Sequence, residues 1–191
     1  MRQNENNGLV SRRVITALWQ WLVMIFVMGG LLGCRAERHH QAHETEAIDP
    51  VYGHLLRPLT NLPTVTLRVN GVELVAEIAA KSHEIATGMM YRTNVPEGTG
   101  MLFVFKEPAR RNFYARNCYV PLSIAFIDPN GRILEVAELE PGDMRGVESY
   151  SSDVQFCLEV PKGWFRKNGI GPGAVITVSN MSLNKIFQWL Q

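Results

Sequence analysis

Asn70-Gly71 separates two runs in which apolar and polar residues alternate, 64–69 (TVTLRV) and 72–78 (VELVAEI). A two-residue turn between strands needs positive φ at both central positions, and asparagine and glycine tolerate this best, so the stretch predicts a tight β-hairpin. A hairpin must bury its apolar face against further structure. Strand and turn signals continue downstream. Residues 101–105 (MLFVF) form a buried strand, and 122–127 (LSIAFI) are apolar on both faces and therefore central. Asp128-Pro129-Asn130-Gly131 is a turn by composition, with 132–139 as the returning strand and 154–160 and 174–179 as later strands. Residues 82–89 place Ile85, Ala86 and Met89 at helical spacing, with Ser82 as N-cap and Gly88 near the end. A second short helix at 163–168 stops at Gly169. The expected fold is α+β: about eight short, mostly antiparallel strands in a curved sheet or partly open β-barrel, with two short helices.

The chain has 191 residues, room for one ordinary domain plus appendages. Residues 14–32 are apolar apart from Thr16 and Gln20, follow Arg12-Arg13, and end at Leu31-Leu32-Gly33-Cys34. A basic start, an apolar core and a small residue before a cut make a secretory signal. The closing tetrapeptide resembles the bacterial lipobox, in which the cysteine receives a diacylglycerol and becomes the mature N-terminus. The alternative is an uncleaved transmembrane helix, since about 20 apolar residues span a bilayer. Either way the domain is expected outside the cytoplasm and tied to a membrane, in the cell envelope of a bacterium. With a lipid on Cys34, the periplasmic face of the outer membrane is the expected place.

The boundaries expected are a signal at 1–33, a lipidated cysteine and polar tether at 34–61, a globular domain at 62–180, and a short helical tail at 181–191. The tether contains His39, His40 and His43, but no nearby cluster completes a closed metal site. The methionines at 89, 90 and 101 read as flexible core filling rather than a soft-metal site. The formal net charge is +1, and without Arg2, Arg12, Arg13 and Glu5 it becomes −1, so no basic stripe points to nucleic acid.

Order and spacing of several strings carry a family resemblance. These are Gly88-Met89-Met90-Tyr91-Arg92, residues 100–105 (GMLFVF), Phe113-Tyr114-Ala115-Arg116-Asn117, residues 121–128 (PLSIAFID), Leu158-Glu159-Val160, Gly163-Trp164 and residues 169–173 (GIGPG). Over about 64–178 the chain resembles domain-of-unknown-function family 192, which brings no established activity with it. It departs from the family pattern in three places. Phe113–Cys118 stands where Phe-Trp-Met-Lys-Asn-Thr is usual, Cys157 replaces a small aliphatic residue, and Ala174 replaces an aspartate.

Strand residues alternate faces. Residues 113 and 115 would point one way and Tyr114, Arg116 and Cys118 the other. Val154, Phe156, Leu158 and Val160 would share a core face, leaving Gln155, Cys157 and Glu159 opposite. An antiparallel register that sets Cys118 against Cys157 also sets Arg116 against Glu159, pairing opposite charges across the strands. In an exported domain a disulfide there would persist; two half-buried free thiols are the other reading.

Tyr114, Arg116, Asn117 and Glu159 form the candidate ligand face, because a guanidinium fork beside a flat ring suits a carboxylate, phosphate or sugar. Asp128 is a turn former first and a candidate ligand second. The polar loop 140–153 offers Asp143 and Glu148 to a groove. No nucleophile–base–orienter set, closed metal constellation or phosphate-cradling loop is visible, so neither a cofactor nor a metal is expected. Two classes remain. One is a non-enzymatic envelope module binding a small anionic or sugar ligand or an envelope protein. The other is a hydrolase or transferase using Glu97, Asp128, Glu135 or Glu159, or Cys118 with His83.

Overall fold

The computed structural model describes residues 47–188. The apolar run 14–32, Cys34 and the three tether histidines lie outside the described residues, as does the end of the tail. Among the described residues no helix is long and apolar enough to cross a membrane.

The hairpin forms as the Asn-Gly step requires. β1 (Thr64–Val69) pairs with β2 (Val72–Ala79) with Val69 opposite Val72, and Asn70 and Gly71 take φ of 48° and 82°. The short helix α1 (Ser82–Thr87) follows, with Lys81 rather than Ser82 at the cap position. Glu84 fixes that end by accepting hydrogen bonds from the backbone N–H groups of Ala80 and Lys81. The chain then crosses to β3 (Thr99–Ala109), which lies parallel to β2. β4 (Asn112–Phe113), β5 (Leu122–Ile127), β6 (Ile133–Leu139), β7 (Val147–Glu148) and β8 (Val154–Pro161) follow. Helix α2 (Trp164–Lys167), the two-residue strands β9 (Thr177–Val178) and β10 (Met181–Ser182), and helix α3 (Leu183–Phe187) complete the order.

Eight strands make one sheet in the order β10-β9-β1-β2-β3-β8-β5-β6, antiparallel except at β2–β3, while β4 and β7 pair separately. The α+β class and the curved, mostly antiparallel sheet are as expected, with three short helices among the described residues, including the tail. The sheet is not a closed barrel. A single bridge, Arg132 to Val175, joins the segment before β9 to the start of β6, and no ladder extends from it.

Both faces of the central strands are covered. On the α2/α3 side, Leu102, Val104, Phe156, Leu158 and Val160 pack with Trp164, Phe165 and Phe187. On the α1 side, Met101, Phe103, Ile124, Phe126 and Cys157 pack with Met89, Met90, Ala115 and Cys118. Every residue of β5 is buried, as its doubly apolar sequence implies, and so is every residue of β8 from Val154 to Val160.

The expected polar tether through 61 is replaced over 47–61 by structure belonging to the domain. Ile48 and Leu55 form a bridge, and the Asp49 carboxylate accepts from the N–H groups of Val51 and Tyr52 to hold the turn between them. Leu55 is 1% exposed and its N–H donates to Thr87 Oγ1 at 2.8 Å. Farther along, the Leu59 carbonyl accepts from Arg92. Too short for a period, this strap docks through isolated leucines, which leave no pattern in sequence.

Candidate functional site

A cavity of about 320 Å³ opens on the α1 side of the sheet. Its position begins with Gly88, which ends α1 at φ 47°, ψ −130°, a conformation open to glycine. A Cβ there would stand 3.1 Å from Phe103 Cζ. The glycine lets the chain turn against the sheet and lay Met89 and Met90 beside the opening. Another wall is β4, which is paired with β7, together with Tyr114, 40% exposed. Loop 140–153 holds this wall through Ala115 N–H to the Asp143 carbonyl (3.1 Å) and Ser149 N–H to the Arg111 carbonyl (2.8 Å). Phe113 stands edge-on to Phe103 with ring centroids 4.9 Å apart.

At the mouth, the Arg110 side chain is well exposed and lies 4.0 Å from Glu148. Arg111 is spread over the Phe105 ring, its Cζ 3.7 Å from the centroid, and donates to the carbonyls of Val154 and Glu107.

Glu159 forms the deep end. It sits in β8 between Met101 of β3 and Ile124 of β5, both fully buried. It is 5% exposed, lines the cavity, and its Oε2 has no hydrogen-bond partner. Burial pushes its carboxyl up to about 8, with the Arg92 charge acting in the opposite direction. Arg92 is itself ion-paired with Glu77 at 2.5 Å. Near neutral pH Glu159 is therefore mostly an uncharged acid, in a place that offers it no protein partner at Oε2.

The family model DUF192, described as an uncharacterized ACR, matches residues 65–178. The chain belongs to the DUF192 family. A solved structure from Sinorhizobium meliloti 1021, described as a candidate transcription regulator, is 24% identical with a TM-score of 0.60, covering 63% of this chain and 98% of its own. A protein of unknown function from Novosphingobium aromaticivorans DSM 12444 is 28% identical with a TM-score of 0.57, covering 71% and 94%. These likenesses show that the chain shares its fold with both structures. No curated protein matches the sequence.

Within the DUF192 domain the sequence-predicted face is split. The proposed register does not form. Cys157 lies opposite Phe103 and Phe126, and Glu159 opposite Met101 and Ile124, so β8 has no edge left for residues 113–118. Those residues leave strand geometry after Phe113 and turn at Arg116-Asn117, where Asn117 has φ 54° and Cys118 N–H bonds the Ala115 carbonyl. The turn reverses parity, so Cys118 enters the same apolar cluster as Ala115 and Cys157.

Both cysteines are free. Burial, with the Glu159 charge second, pushes the Cys118 thiol up to about 12 and raises Cys157 well above its ordinary value. Iodoacetamide at pH 8 is accordingly expected to label neither in the native protein and both in denaturant, as peptide mapping would show.

Of the predicted site residues, Tyr114 and Glu159 line the cavity and three do not. Arg116 lies under the strap, its Cζ 3.8 Å from the Tyr52 ring centroid. Tyr52→Ala is expected to remove about 1 kcal/mol of cation–π attraction. Local opening of 47–59 would then rise about fivefold, read by hydrogen exchange at Leu55 N–H. Asn117 donates to the Tyr91 hydroxyl at 3.0 Å and accepts from Tyr91 N–H, a structural role. Asp128 accepts from the N–H groups of Asn130 and Arg132 at 2.8 Å each, so it is the turn former and not a ligand of this site.

The other carboxylates are also occupied elsewhere. Glu97 pairs with Lys167, Glu135 accepts from Tyr150 N–H, and Asp143 is held by Arg145, which keeps its carboxyl down at about 2. Cys118 lines the cavity and His83 does not. Sequence reasoning missed Arg110, Arg111, Phe103 and Phe113 as wall residues. The Gly88-Met89-Met90 string was the one visible signal, through a glycine at a helix end.

Proposed function

We propose that this protein is an exported, lipid-anchored envelope protein whose DUF192 domain binds a small ligand, without transforming it, in the cavity floored by Glu159. One observation carries the binding reading: a deeply buried carboxyl with an unpartnered oxygen lines an open cavity. Unsatisfied buried polar atoms are rare in folded proteins because each costs about 1–3 kcal/mol. Mixed apolar walls with a few polar groups are the usual make-up of a small-molecule site. Binding is favoured over hydrolysis or transfer because the thiol in the wall is held protonated by burial, and among the described residues a single carboxyl and no imidazole line the cavity. The anchor reading rests on the sequence of residues 14–34.

Two experiments test this. Mass spectrometry of the mature N-terminus should find a diacylglyceryl group on Cys34; an unmodified Cys34 still joined to Gly33 would refute the anchor. For the cavity, methyl-labelled methionine NMR should show Met89 and Met90 shifting with members of a panel of small amphiphiles. Ala86→Phe, at the cavity wall, should abolish the shifts while leaving the fold intact. Shifts confined to other methionines, or unaffected by that blocking substitution, would refute the site.

A further inference from the structure

The chemistry of the deep end restricts what the cavity takes, given that it is the ligand site. Oε2 of Glu159 has no hydrogen-bond partner, and once the carboxyl is ionised it is an acceptor without a donor. Arg92 acts on Glu159 through its charge alone, being ion-paired with Glu77, and its own Nε also lacks a partner. Thr87 has a single hydroxyl proton, and it goes to the His83 carbonyl at 2.6 Å. Arg111 directs Nε to the carbonyl of Val154 and Nη2 to that of Glu107. A ligand can bring the donor that the ionised carboxyl lacks. An ammonium group brings three N–H donors and a charge opposite to that of the carboxylate. In a site walled by Phe103, Phe113 and Met89, the pair would be shielded from water, where charge-assisted hydrogen bonds are strongest.

The mouth imposes the reverse preference. Arg110 and Arg111 put positive charge there, disfavouring a second cation. We propose that the ligand is a small organic ammonium compound with an apolar body, its cationic group seated against Glu159 and its outer end neutral or anionic.

Binding then has a proton signature. With the carboxyl of the free domain pushed up to about 8, it is mostly protonated at pH 7, and pairing with an ammonium ion expels that proton. Affinity should rise close to tenfold per pH unit below about 8 and level off above it.

The probes are 2-phenylethylamine, its neutral analogue 2-phenylethanol, and 1,4-diaminobutane, titrated into the wild-type protein and Glu159→Gln. Calorimetry in buffers of different ionisation enthalpy counts protons, and the Met89 and Met90 methyl signals report occupancy. The amine is expected to bind with release of about one proton at pH 7. It should lose at least tenfold in affinity in Glu159→Gln, exceed the alcohol in the wild type, and exceed the diamine. An alcohol that binds as tightly as the amine, an amine indifferent to Glu159→Gln, or proton uptake would overturn the ammonium assignment and leave the cavity as a ligand site. A diamine binding as tightly as the amine would overturn the charge argument at the mouth. Silence of both methyls toward these probes and the whole amphiphile panel would overturn the assignment and the site together.

Discussion

Glu159→Gln is expected to stabilise the domain by about 2 kcal/mol at pH 8 and to destabilise it by about 1–2 kcal/mol at pH 4.5, where the wild-type carboxyl is protonated in the folded chain. The carboxyl is pushed up to about 8 by burial from an ordinary value of 4.5. Between these two pH values the folded state holds a proton that the unfolded chain releases. Stability contributed at this residue is therefore fully present below about pH 4.5 and is lost as pH rises through 8. The whole shift corresponds to about 5 kcal/mol. An unpaired glutamine amide in the same place costs about 1–3 kcal/mol, which reduces the gain. Urea unfolding from pH 4 to 9 measures this directly: the wild-type curve should slope down through the window and the variant should flatten it. A residue that weakens its own fold at neutral pH is the pattern of a binding group kept for its ligand, and a saturating ammonium ligand should remove the difference.

Gly100→Ala should do the opposite, lowering stability by about 3 kcal/mol or more. A Cβ at Gly100 would lie 2.5 Å from the carbonyl oxygen of Glu159 and 3.0 Å from Val160 Cγ1. The nearest obstruction is backbone in a fully buried strand, so no side-chain rotation relieves it. The strands would have to part at the step that holds Glu159 between Met101 and Ile124. Thermal unfolding gives the stability, and the methionine methyl signals should show the cavity disturbed. An unchanged melting temperature would mean that β3 and β8 are not packed this closely.

The parts of the fold legible in the sequence are those with a local cause. Asn70-Gly71 fixes the first hairpin, Gly88 ends the first helix, and Asp128 builds its turn with its own side chain. The doubly apolar run 122–127 is central because water suits neither of its faces.

What was hidden depends on long-range cover. Gln155, Cys157 and Glu159 look like a solvent face in β8, yet the Met89–Met90 turn, the 113–118 turn and the strap at 47–59 lie over the α1 side. Positive φ at Asn117 reverses the parity of FYARNC, so strand counting puts Cys118 on the wrong side. The strap carries no period, only Leu55 and Leu59 spaced to reach their pockets. The cavity draws on residues 85–90, 103–118 and 159, which only the β3–β8 pairing brings together. Both Glu159 and Arg116 were expected on one face; Glu159 lines the cavity, while Arg116 lies against the strap's Tyr52.

The most direct measurement is the carboxyl titration of Glu159 itself, by ¹³C NMR of glutamate-labelled protein with Glu159→Gln for assignment. The account predicts one carboxyl signal titrating near pH 8 in the free domain and moving to lower pH when 2-phenylethylamine is added. A midpoint near 4.5 in the free domain, unmoved by the amine, would contradict it.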